Sequence, residues 1–406
     1  MTGEAVRRRT SGLLDRVART DIRMCRWRIP AFQFCGVTGL LLAIVQSAVL
    51  VARLGLSPLV LFGITMIAIA TFFLVIIVTR AIAGEEAIIY YHHELAILAS
   101  TGVFVWAIGH PVVPYLAITL LGIGSFLSFG RIGCFLVGCC HGRPSRWGVR
   151  YRTEHAAAGF PSCYVGVRLL PVQLIESALV FTTVITGAIQ LFQGQPPGWI
   201  LAWYTILYGW GRFCLEFLRG DRDRPYYLGF SEAQWISAVL IGLLPLAAWK
   251  EALPFERWQT VAASALPLAI LLVAVRRFVR PAPLHEFADA VHVQEVCGAL
   301  RDVVRSRRHT PGQARVACTS LGLQISGEML RRPGYRFFHY ALSSPRLPMS
   351  ERVIRMLAQL IVVMRHPNKA SYDLIRGGHG VVHIVVPVAR AVRDPLRDRG
   401  NRLAHT

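Results

Sequence analysis

Lysine is almost missing from this 406-residue chain: of 44 basic residues only Lys250 and Lys369 are lysines, and the rest are arginine. Charge as a whole is scarce, at 17% of residues, where a soluble domain carries about a quarter. Acidic residues are scarcer still, 23 against the 44 basic ones, so the formal charge is +21. Cysteine is sparse: nine in 406 positions exclude a disulfide-rich secreted scaffold. A hydrophobic share of 54% excludes disorder over most of the length. No internal repeat and no low-complexity segment is present. What the chain does have is apolar length, with a mean hydropathy of +0.46. Long apolar runs separate the arginines, so a membrane surface with anionic lipid headgroups fits the charge better than nucleic acid does.

A spanning helix needs about 20 mostly apolar residues. Runs of that kind lie at 32–54, 58–78, 95–109, 112–130, 172–192, 199–217, 235–249 and 260–275. The fold expected is therefore an all-α polytopic membrane protein of about seven or eight transmembrane helices, with a small C-terminal α/β domain. Residues 1–30 form a basic N-terminal segment, too long in its arginine-rich part for a signal peptide, so the first span is expected to be retained. Residues 31–280 form the membrane domain. After the linker Pro281-Ala282-Pro283, residues 281–406 hold no run long enough to span. There the spacing predicts helices over 291–308 and 349–366 and strands over 314–325, 335–342 and 381–386. Arginines such as Arg301 and Arg305 read as a solvated helix face rather than a nucleic-acid site.

Charged residues inside apolar runs carry the functional signal. Tyr208, Arg212 and Glu216 recur every four residues and share one helix face. An arginine within a span costs at least about 2.5–3.5 kcal/mol on insertion scales, so it faces a partner or a wet cavity. Arg212 offers a planar fork for a phosphate, with Glu216 orienting it; the plainer reading is an intrahelical ion pair. Arg131 stands where the fourth run ends, read either as a snorkelling anchor or as a second anion holder. Around it, glycines such as Gly130, Gly133, Gly138 and Gly142 allow close backbone approach. Before the third run stands Tyr90-Tyr91-His92-His93-Glu94: tyrosines that suit an aromatic belt, and a histidine able to act as a general base near neutral pH. Helix parity puts His92, Arg131, Arg212 and Glu216 on one side of the membrane.

These stretches resemble the prolipoprotein diacylglyceryl transferase family. That family's Gly-Arg-x-Gly-Asn-Phe signature reads here Gly130-Arg131-Ile132-Gly133-Cys134-Phe135, followed by Gly138-Cys139-Cys140-His141-Gly142. Its His-Pro-x-Gln-Leu-Tyr-Glu stretch is matched by Leu170-Pro171-Val172-Gln173-Leu174-Ile175-Glu176. Tyr208, Gly209, Arg212, Phe213, Glu216, Phe217 and Arg219 follow a further family run, and Leu228-Gly229-Phe230-Ser231-Glu232-Ala233-Gln234 a last one. The resemblance covers about residues 35–250, counted from the matched motifs, and not the tail. Cys134 replaces the signature asparagine and Cys139 the signature glutamate.

The resemblance implies a transfer of diacylglycerol from phosphatidylglycerol to the lipobox cysteine of preprolipoproteins, with glycerol phosphate leaving. It implies a multi-pass protein of the bacterial cytoplasmic (inner) membrane, in contact with membrane lipids, without metal, nucleotide cofactor or nucleic acid. His92 is then the base, Arg212 and Glu216 the other catalytic pair. Arg131, Gly133, Cys134, Gly138, Cys139, Gly142, Gln173, Glu176 and Tyr208 line the substrate. Two other readings compete. One is a non-catalytic or altered-substrate relative that binds anionic lipid. The other is a metal or redox site at Cys134, Cys139, Cys140 and His141. The arginine-rich segments all fall on one side of eight spans, which the positive-inside rule assigns to the cytoplasm. The resemblance places that same face outside, and arginines kept for headgroups favour this second placement.

Overall fold

The computed structural model describes residues 3–24, 26–84, 90–221, 225–249, 253–254, 256–279, 286–305, 315–332, 335–347, 349–369 and 371–388. The linker at 281–283 lies outside them. The basic N-terminal segment opens with a helix, α1 (Gly3–Val17), and a hairpin, β1 (Asp21–Met24) with β2 (Trp27–Pro30). Eight long helices then stand where the eight apolar runs were read. They are α2 (Ala31–Arg53), α3 (Pro58–Ala83), α4 (Tyr90–Ala107), α5 (Val112–Val137), α7 (Val172–Phe192), α8 (Pro197–Glu216), α9 (Glu232–Trp249) and α10 (Arg257–Val279), with the short α6 (Thr153–Ala157) between α5 and α7. Local chemistry sets their ends. Proline begins α3 and α8, where a missing N–H costs nothing. Gly138, at φ +93°, ends α5 in the left-handed region, its N–H donating to the Cys134 carbonyl at 2.9 Å.

Among the described residues six helices are long and apolar enough to cross a membrane: α2, α3, α5, α7, α9 and α10. The two that fall short are α4 and α8, which carry His92, His93 and Glu94 and Tyr208, Arg212 and Glu216. Polar residues that mark a site lower the hydropathy by which a span is recognised. The bundle is that of a multi-pass membrane protein centred on α5, 61% buried over its most apolar window against 11% for the peripheral α3. Small residues let its neighbours close in. A Cβ on Gly124 would lie 2.5 Å from Val184 of α7 and 2.8 Å from Tyr204 of α8.

The fourth apolar run was read as ending at 130, yet α5 continues to Val137. Gly130 and Gly133 do not stop it, because Phe135 and Leu136 still have core to bury and the left-handed stop comes only at Gly138. Arg131 is therefore inside the helix and 7% exposed, not a snorkelling anchor at its end.

Alternating helix directions bring the end of α5, the starts of α4, α7 and α9 and the end of α8 to one side. There β3 (Pro144–Arg150) pairs with β4 (Arg168–Leu169), and β5 (Tyr226–Tyr227) with β6 (Phe230–Ser231). The N-terminal helix docks on this layer. Asp15 accepts from the Arg150 N–H at 2.8 Å and faces Arg168 at 3.4 Å.

The C-terminal unit is a five-stranded antiparallel sheet in the order β10-β11-β9-β8-β7, formed by β7 (Val316–Cys318), β8 (Gln324–Arg332), β9 (Tyr335–Ser343), β10 (Asp373–Arg376) and β11 (Val382–Val388). Two amphipathic helices cover it, α11 (Ala290–Arg305) and α12 (Glu351–Arg365). Val353, Leu357 and Ile361 of α12 are fully buried with Ile384 and Val386 of the sheet. The single strand read over 314–325 is two strands, broken where the Thr319 N–H reaches the Leu323 carbonyl around a left-handed Gly322. The edge strand β10 was not foreseen; it is short and mostly exposed, so its alternation is weak. The unit also touches the membrane domain: the Cys297 thiol of α11 donates to the Cys163 carbonyl at 3.2 Å.

His366, just after α12, carries a pH prediction. Burial, then the neighbouring Arg365 and Lys369, push its imidazole down to about 4, and its Nε2 lies 2.8 Å from the Tyr340 hydroxyl. Burial lowers His292 in the same unit as well. The unfolded chain takes up protons at about pH 6.5 that the folded unit refuses, so this stability is whole above 6.5 and is lost as pH falls towards 4. The melting temperature of the unit is expected to drop through that window, and His366→Gln to flatten the slope. Equal slopes for the two proteins would refute the assignment.

Candidate active site

Three helices meet at one carboxylate. Glu176 stands one turn into α7, 1% exposed. Its Oε2 lies 3.0 Å from Nε of Arg131 on α5, and its Oε1 lies 3.8 Å from Nε of Arg212 on α8. The Tyr208 hydroxyl donates to the same Oε1 at 3.1 Å. Arg212 also holds Glu216 one turn along α8, Nη1 to Oε2 at 2.8 Å. Tyr208, Arg212 and Glu216 do share one face, and all three are buried. Two arginines and two glutamates thus form a neutral set where unpaired charge would cost several kcal/mol per ion, on the order of the buried-ion penalty. These contacts are charge pairs rather than aligned hydrogen bonds, since among the described residues Arg131 Nε and Arg212 Nη1 donate to no partner.

The glycine-rich turn after α5 closes over this set. The Gln173 side chain donates to the Cys139 carbonyl at 2.7 Å, tying the turn to α7. The Gly142 N–H reaches the Leu170 carbonyl at 3.1 Å, the Arg143 N–H the Leu218 carbonyl at 3.0 Å and the Gly220 N–H the His141 carbonyl at 2.9 Å. Gly142 therefore sits between two backbones, and a Cβ there would lie 2.5 Å from the Leu170 carbonyl oxygen. Gly133 faces α2, against Phe32 and Cys35, and Gly138 ends its helix. The structure gives these three glycines backbone work beside the site.

Cys134, Cys139 and Cys140 bring their sulfurs together in the same turn. Thiol hydrogen bonds from Cys134 and Cys139 hold the Cys140 thiol well below its ordinary range, with Arg219 and Arg131 helping, while Cys134 and Cys140 push the Cys139 thiol up. Burial lowers His141.

His92 stands apart from the arginine–glutamate set. Its Nε2 lies 2.6 Å from Oε1 of Glu232, the first residue of α9, and the pair is partly exposed. The first turn of α4 reaches the set through its tyrosines instead. Tyr90 and Tyr91 pack on the Tyr208 ring at 5.4 and 6.0 Å, and the Tyr90 and Tyr204 hydroxyls lie 3.3 Å apart. The aromatic-belt reading of Tyr90 and Tyr91 is thereby corrected: these rings line the interior because Tyr208 is there to meet them. Arg219 closes the same run as Tyr208, Arg212 and Glu216, and sequence spacing alone gives it no role. It is buried and grips Asp221 with two bonds, at 3.0 and 2.6 Å. Asp221, two residues on, was the available signal. The last motif works as a helix start: Ser231 and Gln234 cap each other reciprocally at the head of α9.

Residues 93–249 match the profile of the family described as prolipoprotein diacylglyceryl transferase. A phosphatidylglycerol–prolipoprotein diacylglyceryl transferase of Clostridium tetani is 36% identical over 119 residues, 28% of this chain and 45% of that protein. The corresponding transferase 2 of Clostridium perfringens is 36% identical over 127 residues, 30% of this chain and 46% of its own length. A Dehalococcoides mccartyi protein of the same name is 28% identical over 116 residues, 29% and 43% of the two chains. The match therefore spans less than half the length of each of these relatives.

Proposed function

We propose, from the premise that residues 93–249 belong to the prolipoprotein diacylglyceryl transferase family, that this chain is a transferase moving diacylglycerol from phosphatidylglycerol to a lipobox cysteine thiol. The observation that carries the reading is the convergence of Arg131 and Arg212, from separate helices, on Glu176. A lipid phosphate bound beside them would take guanidinium N–H donors from two separate helices. Glu216 holds Arg212 in place, while Gln173, Glu176 and Tyr208 order the polar wall.

In the reaction the thiol sulfur bonds to the glyceryl carbon of the lipid and the carbon–oxygen bond to phosphate breaks. The electron pair leaves on glycerol phosphate, whose charge rises from one to two. Buried guanidinium groups, fixed by their glutamates, would stabilise that added charge. The thiol proton goes to His92. Glu232 would hold the imidazole as a carboxylate holds a catalytic histidine elsewhere. We place the site on the outer face of a bacterial inner membrane, where a translocated precursor would meet the lipid.

The test supplies a lipobox peptide to the outside of sealed spheroplasts, and to the purified protein in phosphatidylglycerol vesicles. A peptide heavier by one diacylglyceryl group in both settings supports the reading. No adduct in the vesicles would favour a relative that binds lipid without turnover; adduct in vesicles alone would reverse the orientation. His92→Ala is expected to lower the rate by about 10²–10³, within the range for a general base. An unchanged rate would remove His92 from the mechanism.

A further inference from the structure

The end of α5 gathers three thiols whose sulfurs all lie within 4.8 Å of one another. Three metal–sulfur bonds of about 2.3 Å spread evenly in a plane need sulfurs about 4 Å apart. Closing this triangle therefore asks for less than about 1 Å of movement, by the same bond lengths. We propose that Cys134, Cys139 and Cys140 bind one soft, closed-shell metal ion in trigonal thiolate coordination, with copper(I) as the ion that fits.

The backbone is arranged for it. Two adjacent residues present their sulfurs to one point because Cys140 is left-handed, at φ +53°. A residue without glycine's freedom pays about 1–3 kcal/mol for that conformation and keeps it only where its surroundings enforce it. Here the Gln173 bond to the Cys139 carbonyl and the Gly220 bond to the His141 carbonyl do so from two other elements. Thiolate sulfur selects copper(I), zinc or iron–sulfur clusters. Structural zinc wants four ligands. Among the described residues no fourth histidine, cysteine or carboxylate joins the three, the adjacent His141 included. Three sulfurs without a fourth donor suit copper(I). Each thiol would release its proton to water on binding. Cys139 is exposed, which leaves the loop side open for entry. A bound ion would join position 134 to positions 139 and 140 and so lock the last turn of α5, one turn beyond Arg131.

The full chain, purified in detergent without oxygen, is to be loaded with copper(I) from a bicinchoninate buffer, desalted and assayed for metal. One copper per chain is expected, with X-ray absorption reporting three sulfur neighbours. Cys139→Ser, at an exposed position, is expected to retain less than a tenth of that copper. Cys214→Ser, at an exposed thiol of α8, is expected to retain all of it. Copper that washes off the wild type, or that Cys139→Ser keeps, overturns the proposal. So does zinc retained in preference when both ions are offered equally. None of these readouts depends on lipid transfer, so failure here leaves the transferase reading standing, and the reverse.

Discussion

Glu176→Ala is expected to lower the unfolding free energy by about 3–5 kcal/mol, the usual cost of removing one partner from a buried ion pair. The carboxylate is 1% exposed and faces Arg131 at 3.0 Å and Arg212 at 3.8 Å while accepting from Tyr208. Its loss leaves Arg131 buried without its counter-charge, while Arg212 keeps Glu216, and one hydroxyl without an acceptor. Glu176→Gln separates the terms, since the amide oxygen can still accept from Tyr208 but no longer carries the charge that balances the arginines. The loss for Gln should therefore be smaller than for Ala but still measurable. Thermal unfolding of the two variants in detergent, read through tryptophan fluorescence, checks the order. If both melt with the wild type, Glu176 does not hold α5, α7 and α8 together electrostatically.

Arg212→Lys should abolish transfer almost as fully as Arg212→Ala, each by about 10²–10³ in rate, the range found when one stabilising donor is removed from a site of this kind. Lysine keeps the charge but is a point donor on a flexible stem, and cannot bridge Glu176 and Glu216 while presenting a further pair of N–H groups to a phosphate. Arg212 reaches Glu216 at 2.8 Å and Glu176 at 3.8 Å from different nitrogens of one plane, a geometry that only a guanidinium offers. Single-turnover rates with saturating phosphatidylglycerol, alongside melting temperatures, distinguish a chemical from a structural loss. A lysine variant with wild-type rates would mean that charge alone is enough and that the fork is incidental.

Which helices exist was decided by the chain itself. Apolar runs of spanning length can only bury their backbone groups as helices in lipid; six of the eight helices meet that standard, and 172–192 is α7 to the residue. The four-residue spacing of Tyr208, Arg212 and Glu216 likewise put them on one face before any neighbour was known, because helical period is a local property. The amphipathic helices of the tail were legible for the same reason. What the chain did not settle was who meets whom. Arg131 lies inside α5 only because packing on α2 and α7 carries that helix to Val137. Tyr90 and Tyr91 point inward only because Tyr208 is opposite, and His92 pairs with Glu232, 140 positions away. Glu176 serves two arginines from two other helices. Such contacts have no signature in local spacing, since they depend on how closely glycines such as Gly124 let the helices approach and on which carboxylate then lies nearest a charge that cannot remain alone.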